Sequence, residues 1–317
     1  MNHRLRGLIV FSMVVGPLLA TAYAIYLGWN GMAHWKDMLT LGVMYTLVAF
    51  GVTVGYHRYV THDSFKTNRV VKLILVILGT MSLEGTPISW AANHRKHHAF
   101  SDKEGDLHSP HLSKNIVTGF FHAHVGWLLE GKEADPQKWA KDLLLDRDLV
   151  FVQKTALLWV VLSLLIPFLI GGWSGLLWGG LVRVFLTHHV TWSVNSVCHI
   201  FGKRPFRTKD LSSNHWLVGL LAFGEGAHNT HHASPRSARH GLYWYHFDLS
   251  WQLIRLLARM RLAWNVYTLD AADLPRAIAT GAAGVKVMLQ WPRGPAAVPQ
   301  VAVAGGYGAP MPRRDEP

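Results

Sequence analysis

The sequence predicts an all-α integral membrane protein: four transmembrane helices carrying a helical cytoplasmic cap built around a polynuclear metal site. Three observations lead there. Four apolar stretches are each long enough to cross a bilayer. Charge is sparse, at 16% of residues, while 50% are hydrophobic, a balance that suits a membrane protein and not an ordinary soluble enzyme. Nine histidines fall into four short clusters, each beside an apolar stretch and none inside one.

A helical crossing needs roughly 20 apolar residues. Leu8 to Leu27 is the first such stretch. Arg4 and Arg6 precede it without a small-residue cleavage site, which predicts a retained helix and not a signal peptide. Met38 to Gly55 follows across a short loop whose only basic residue is Lys36, so residues 1–56 read as a helix pair. Residues 57–154 form the first part of the cap. Within it, Val70 to Leu83 is flanked by Lys66, Arg69, Lys72 and Glu84, which predicts an amphipathic surface helix in place of a fifth crossing. Thr155 to Gly172 and Leu176 to Val197 make the second pair (155–197), joined by the uncharged Gly171-Gly172-Trp173-Ser174-Gly175. Residues 198–265 complete the cap, with a helix over Asp248 to Leu262. Its Trp251, Ile254 and Leu257 face is read either as membrane-bound or as packed on the cap. From Ala271 onward Ala, Gly and Pro dominate without periodicity, and 266–317 is expected to be a mostly disordered tail. Nearly all Lys and Arg lie opposite the two short loops, so both termini and all four clusters are expected in the cytoplasm.

The clusters read His57…His62, His94…His97-His98, Asn195…His199 and His228…His231-His232. Offsets of three and four place side chains on one helix face. The offset of five in the first pair fits a helix that ends or unwinds near Tyr59. The single Cys198 excludes a thiolate cage and an internal disulfide. The net charge of +12, without a nucleic-acid motif, points to anionic lipid headgroups and not to nucleic acid. Structural zinc is held by four ligands, and hydrolytic zinc typically by His-Glu-x-x-His, which is absent. Many imidazoles around two ions suit non-haem iron that activates dioxygen against an unactivated carbon–hydrogen bond, and acyl chains in the bilayer are the matching substrate. Asn195 fits a residue that holds a water on the metal, or a helix-packing hydrogen bond.

These residues resemble the membrane-bound fatty acyl desaturases, in the branch of animal stearoyl-CoA desaturases and bacterial and cyanobacterial ninth-carbon acyl desaturases. The resemblance runs through Gly55-Tyr56-His57-Arg58, Trp90, His94-Arg95-Lys96-His97-His98, His124-Val125-Gly126-Trp127-Leu128, Asn195-Ser196-Val197-Cys198-His199, Gly224 to His232, and Ser237 to Gly241, within residues 36–265. It implies a cis double bond inserted into a saturated acyl chain, with dioxygen and two electrons consumed. It implies two irons held by His57, His62, His94, His97, His98, His199, His228, His231 and His232, with Asn195 holding a water on one iron. His122, His124, His188, His189 and His240 are then structural or support the ligands. The site is expected in a bacterial inner membrane, with electrons from a separate ferredoxin or flavoprotein reductase. The substrate is expected to be a membrane lipid or acyl thioester.

Two departures bear on the acyl carrier. Ala92-Asn93 stands where the animal enzymes carry Arg-Asp, and Glu130-Gly131-Lys132 where they carry a basic pair. Losing those charges removes the charge-assisted contacts that CoA phosphates require, which favours a glycerolipid or carrier protein. Tyr45 is read either as the floor of the acyl tunnel or as an ordinary core-packing residue. Lipid hydroxylation is the nearest rival chemistry, and metal or haem transport a rival of another class.

Overall fold

The computed structural model describes residues 3–269 together with 272 and 274. The chain begins with a long helix, α1 (His3–Trp29), and continues as α2 (Trp35–Phe50). The second expected crossing does not stop at Gly55. Its helix runs on without a break as a π-helix over Gly51–Thr61. Every residue of that segment except Tyr59 is buried, so the polar His57 and Arg58 need no lipid contact. The helix therefore neither ends nor unwinds at Tyr59. It widens, and His62 N–H donates to the His57 carbonyl at 3.2 Å, the five-residue bond of a π-turn.

Widening lets α3 (Arg69–Thr80) come close, running back along the π-helix. A Cβ at Gly51 would collide with the backbone of Gly79, and one at Gly55 would lie 2.6 Å from the Leu75 carbonyl oxygen. Asn68 caps α3 by accepting from Val71 N–H at 2.9 Å. The helix thus packs on the protein along Leu75, Val76, Gly79 and Thr80, while Val70 and Ile74 stay exposed. Next come α4 (Pro87–Phe100), α5 (Ile116–Phe121), a π-turn at His122–Gly126, α6 (Trp127–Glu130), α7 (Pro136–Trp139) and α8 (Arg147–Lys154). Tyr56, Val60, Val76, Ile88, Ala91 and Ala92 form the main core, joining the π-helix to α3 and α4.

Among the described residues, three stretches are long and apolar enough to cross a membrane: Gly7–Trp29, Trp35–Thr61 and Ala156–His199. The last has 44 residues, about 66 Å if straight and over twice the hydrocarbon thickness. It is not straight. After α9 (Ala156–Gly175) enters Gly171-Gly172, the backbone leaves helical angles, and Gly172 takes φ 59°. The chain folds back so closely that a Cβ on Gly175 would strike the Pro167 carbonyl. The returning arm is a π-segment (Leu176–Val182), α10 (Arg183–Ser196) and a 3₁₀ turn (Val197–His199). The reversal falls inside the linker expected from sequence. Ser174 Oγ donates to Asp37 at 2.5 Å, tying this turn to the start of α2. The two short connections therefore lie together.

The remaining helices are α11 (Trp216–Leu221), α12 (His228–Ala233) and α13 (Leu249–Arg259). Ile254 of α13 is fully buried among Val54, Phe65 and Leu75, with Trp251 and Leu257 packed against them. Of the two readings of that face, packing on the protein is the one observed. Two-residue strands pair Lys66 with Trp264 and Thr67 with Ala263. Residues 266–269 are held by Tyr267 N–H to Ser64 O at 2.8 Å and Ala238 N–H to Tyr267 O at 2.8 Å. The rest of the expected tail, apart from 272 and 274, lies outside the described residues.

The close approach of α3 to the π-helix gives a direct test. Gly55→Val forces overpacking that costs about 1–3 kcal/mol, and should lower the thermal midpoint of the detergent-solubilised protein. Gly28→Ala, with nothing within 4 Å of its Cβ, should leave it unchanged.

Candidate metal centre

Nine imidazoles converge from four places in the chain. His57 sits in the π-helix and His62 caps its end. His94, His97 and His98 lie on α4, His199 on the 3₁₀ turn after α10, and His228, His231 and His232 on α12. They divide into two sets whose nitrogens lie within 4.8 Å of one another: His57, His62, His94, His98 and His231 in one, His97, His199, His228 and His232 in the other. Each set draws on helices far apart in sequence. His97 and His98, adjacent in the chain, face different sets.

Buried carboxylates aim these rings. His57 Nδ1 lies 2.6 Å from Glu225, His97 Nδ1 3.0 Å from Asp106, His199 Nδ1 2.9 Å from Asp102, and His232 Nδ1 3.0 Å from Asp210. An ionised carboxylate only accepts, so Nδ1 carries the proton and Nε2 presents a lone pair inward. Burial alone would raise the pKa of Asp102, Asp106, Asp210 and Glu225. The imidazoles against them, helped by backbone N–H groups at the aspartates and by Arg58 at Glu225, outweigh that and hold all four below the usual carboxylate range. The inner rings are neutral for the complementary reason. Burial first, then neighbouring imidazoles, lowers His62, His94, His98, His228 and His231 well below the ordinary histidine value. His232 falls to about 4 despite the opposing pull of Asp210.

The residues fit metal ions. His97 Nε2 and His232 Nε2 are buried without a hydrogen-bond partner. Facing Nε2 atoms lie 3.1 Å apart in His57–His231, 3.0 Å in His94–His98, 2.9 Å in His98–His231 and 3.0 Å in His199–His228. Ligands bound at about 2.1 Å and at right angles would be about 3 Å apart. Lone pairs held face to face at that spacing call for a cation between them. Neutral imidazole suits iron, zinc, copper or nickel, and no thiolate joins the sets.

A cavity of about 350 Å³ opens beside His94, lined by Trp90, Trp127, Thr191, Asn195 and, from α1, Ile9 and Met13. Trp90 stacks on His94 with ring centroids 5.0 Å apart. Asn195 thus lies in the cavity wall with His94, a member of the five-histidine set. Tyr45 does not line this cavity. Its hydroxyl donates to Leu221 O at 2.7 Å and its ring meets Phe223 edge-on, so packing is the role observed.

The other histidines stay out of both sets. His122 pairs with Glu130, His124 bonds Ser196 and His189, His188 bonds Ser82 O, and His240 accepts from Arg58 behind Glu225. The sequence reading missed Asp102, Asp106, Asp210 and Glu225, of which Asp106, nine residues from His97, lies nearest in sequence to the ring it orients. It also missed Glu84, a buried carboxyl in the cavity wall. Trp90 Nε1 donates to its Oε2 at 3.3 Å, and burial pushes its pKa up to about 7 against the hydrogen bonds of Thr191 and Trp90.

With the two histidine sets in place, comparison with known proteins is decisive. The fatty acid desaturase family model matches residues 33–268. The chain belongs to the fatty acid desaturase family. A sn-1 stearoyl-lipid 9-desaturase of Anabaena variabilis is 43% identical over 223 residues, 69% of this chain and 79% of its own length. A hex-5-enoyl-[acyl-carrier protein] acetylenase of Moorena producens is 40% identical over 266 residues, 79% and 83% of the two chains. An icosanoyl-CoA 5-desaturase of Limnanthes douglasii is 37% identical over 260 residues, 80% and 70%. This desaturase is an oxidoreductase acting on fatty acyl chains, and the transport reading falls with that assignment.

The aiming carboxylates make a measurable claim. Asp102→Asn and Glu225→Gln keep the imidazoles but weaken their orientation, and each should cost 10- to 100-fold in metal affinity, to order of magnitude. Chelator competition on the purified protein measures this. His122→Ala, outside both sets, should leave affinity unchanged.

Proposed function

We propose that this desaturase inserts a cis double bond at the ninth carbon of a saturated acyl chain, consuming dioxygen and two electrons. The observation that carries the reading is the convergence of nine imidazoles into a set of five and a set of four beside one cavity. We assign all nine as ligands of two non-haem irons, with His57, His62, His94, His98 and His231 on one and His97, His199, His228 and His232 on the other. Bound iron supplies the activation of dioxygen. The chain's own residues do the rest. Carboxylates hold Nδ1 protons so that Nε2 stays available, and Trp90 and Trp127 wall the acyl chain from water. Asn195, in the same wall, positions a water on one ion.

The desaturases among the relatives support this chemistry over hydroxylation. Their names range over the fifth and ninth carbons, so the ninth rests on the 9-desaturases. The carrier we assign is a membrane glycerolipid. Relatives act on lipid-, carrier-protein- and CoA-linked chains, so the residues here decide. Ala92 is buried, Asn93 accepts from Ala134 N–H, Arg95 is engaged by Asp142 and Lys132 by Glu130. Two of the nearby cations, Arg95 and Lys132, thus have carboxylate partners of their own. In the bilayer we place four crossings, the long hairpin supplying two, with termini and metal centre in the cytoplasm of a bacterial inner membrane.

Expression in a host lacking its own desaturase tests the reading by mass spectrometry of each lipid class. The expected product is a ninth-carbon cis monoene on glycerolipid. A hydroxylated product, or none, contradicts it.

Glu84 adds a pH signature. Its raised pKa leaves the carboxyl neutral below about 7 and anionic above. Among the described residues no cation pairs with Glu84, so an anion in that wall beside an apolar chain bears an uncompensated desolvation cost. Activity should decline as pH rises through about 7, and Glu84→Gln should flatten that limb.

A further inference from the structure

Each double bond takes two hydrogen atoms from adjacent carbons, and dioxygen accepts them with two electrons and two protons to give two waters. On the proposed desaturation, the electrons must therefore reach a buried centre from outside the chain. The two histidine sets differ in how they connect to the surface. The five-histidine set is backed by Glu225, Arg58, Asp248 and His240, all buried. The four-histidine set meets an exposed loop. Leu211, 45% exposed, donates its N–H to Asp102 Oδ2 at 2.7 Å, and the same oxygen lies 2.9 Å from His199 Nδ1. The preceding residue, Asp210, reaches His232 Nδ1 at 3.0 Å. One backbone segment therefore touches two members of the set through a single carboxylate each.

That segment is rigid and positively charged. Lys203 and Asn214 exchange backbone hydrogen bonds at 3.0 and 2.7 Å, and Asn229 holds Phe206 by its N–H and carbonyl at 2.8 and 3.2 Å. Arg204 turns inward onto the Asp210 carbonyl. Lys203, Arg207 and Lys209 point outward, and among the described residues none of them is in an ion pair. Phe201, 55% exposed, and Leu211 lie on the same loop as these cations. Exposed apolar side chains among cations suit a protein–protein interface. Bonded contacts carry an electron far better than gaps, which singles out this point of approach.

The geometry points to the loop 201–211 as the docking surface for an acidic one-electron carrier protein, with electrons passing to the four-histidine set through Asp102 and Asp210. Opposite charge steers such encounters and makes them salt-dependent. The test uses binding, which requires no turnover, so its failure is separable from failure of the desaturase assignment. An acidic [2Fe–2S] ferredoxin is titrated onto the full-length protein in detergent at low salt. The triple variant Lys203→Glu, Arg207→Glu, Lys209→Glu should weaken binding at least about tenfold. Lys36→Glu, at the start of α2, should not. In the wild type, affinity should fall as salt rises, which tests the surface even if the triple variant misfolds. Salt-independent wild-type binding, unchanged affinity in the triple variant, or equal weakening by Lys36→Glu would each overturn the proposal.

Discussion

The hydrogen bond between a buried carboxylate and an imidazole Nδ1 is the interaction on which the centre depends. Imidazole offers two nitrogens, and an unbraced ring can present either one or rotate away. Glu225, Asp106, Asp102 and Asp210 remove that freedom for His57, His97, His199 and His232. Burying four anions is costly unless each is paired. Here the pairing and the orientation are one contact. Arg58, fully buried, closes the far side by meeting both Glu225 and Asp248.

The backbone is shaped to the same end. A regular helix cannot put residues five apart on one side, yet His57 and His62 belong to one set with ring centroids 4.9 Å apart. The π-helix over Gly51–Thr61 resolves this by widening the turn, and Gly51 and Gly55 let α3 pack against the widened section. Helix α4 does the converse. Its regular spacing sends His94 and His98 to one set and His97 to the other, so one helix spans both positions. The same helix carries Trp90 into the cavity wall beside His94, joining the histidine sets to that cavity.

Much of this was legible in the sequence because its signals are local. Apolar length marks the long helices, and the glycine-rich linker marks the reversal at Gly171-Gly172. Histidine spacing found all nine members of the two sets. What escaped depends on contacts distant in the chain. Asp102 and Asp210 lie in loops, 97 and 22 residues from the histidines they orient, and an aspartate in a loop carries no mark of its partner. The division into five and four was invisible for the same reason, since His97 and His98 are neighbours that face apart. The π-helix was misread because offset five is silent between a helix that ends and one that widens.

The central claim is that the two sets are two iron sites. Diffraction from crystals of the iron-loaded protein, recorded at the iron absorption edge, tests it most directly. The account predicts two anomalous peaks, one among His57, His62, His94, His98 and His231, and one among His97, His199, His228 and His232. A single peak, or density instead between His57, Glu225 and His240 or between His97, Asp106 and His108, would contradict it.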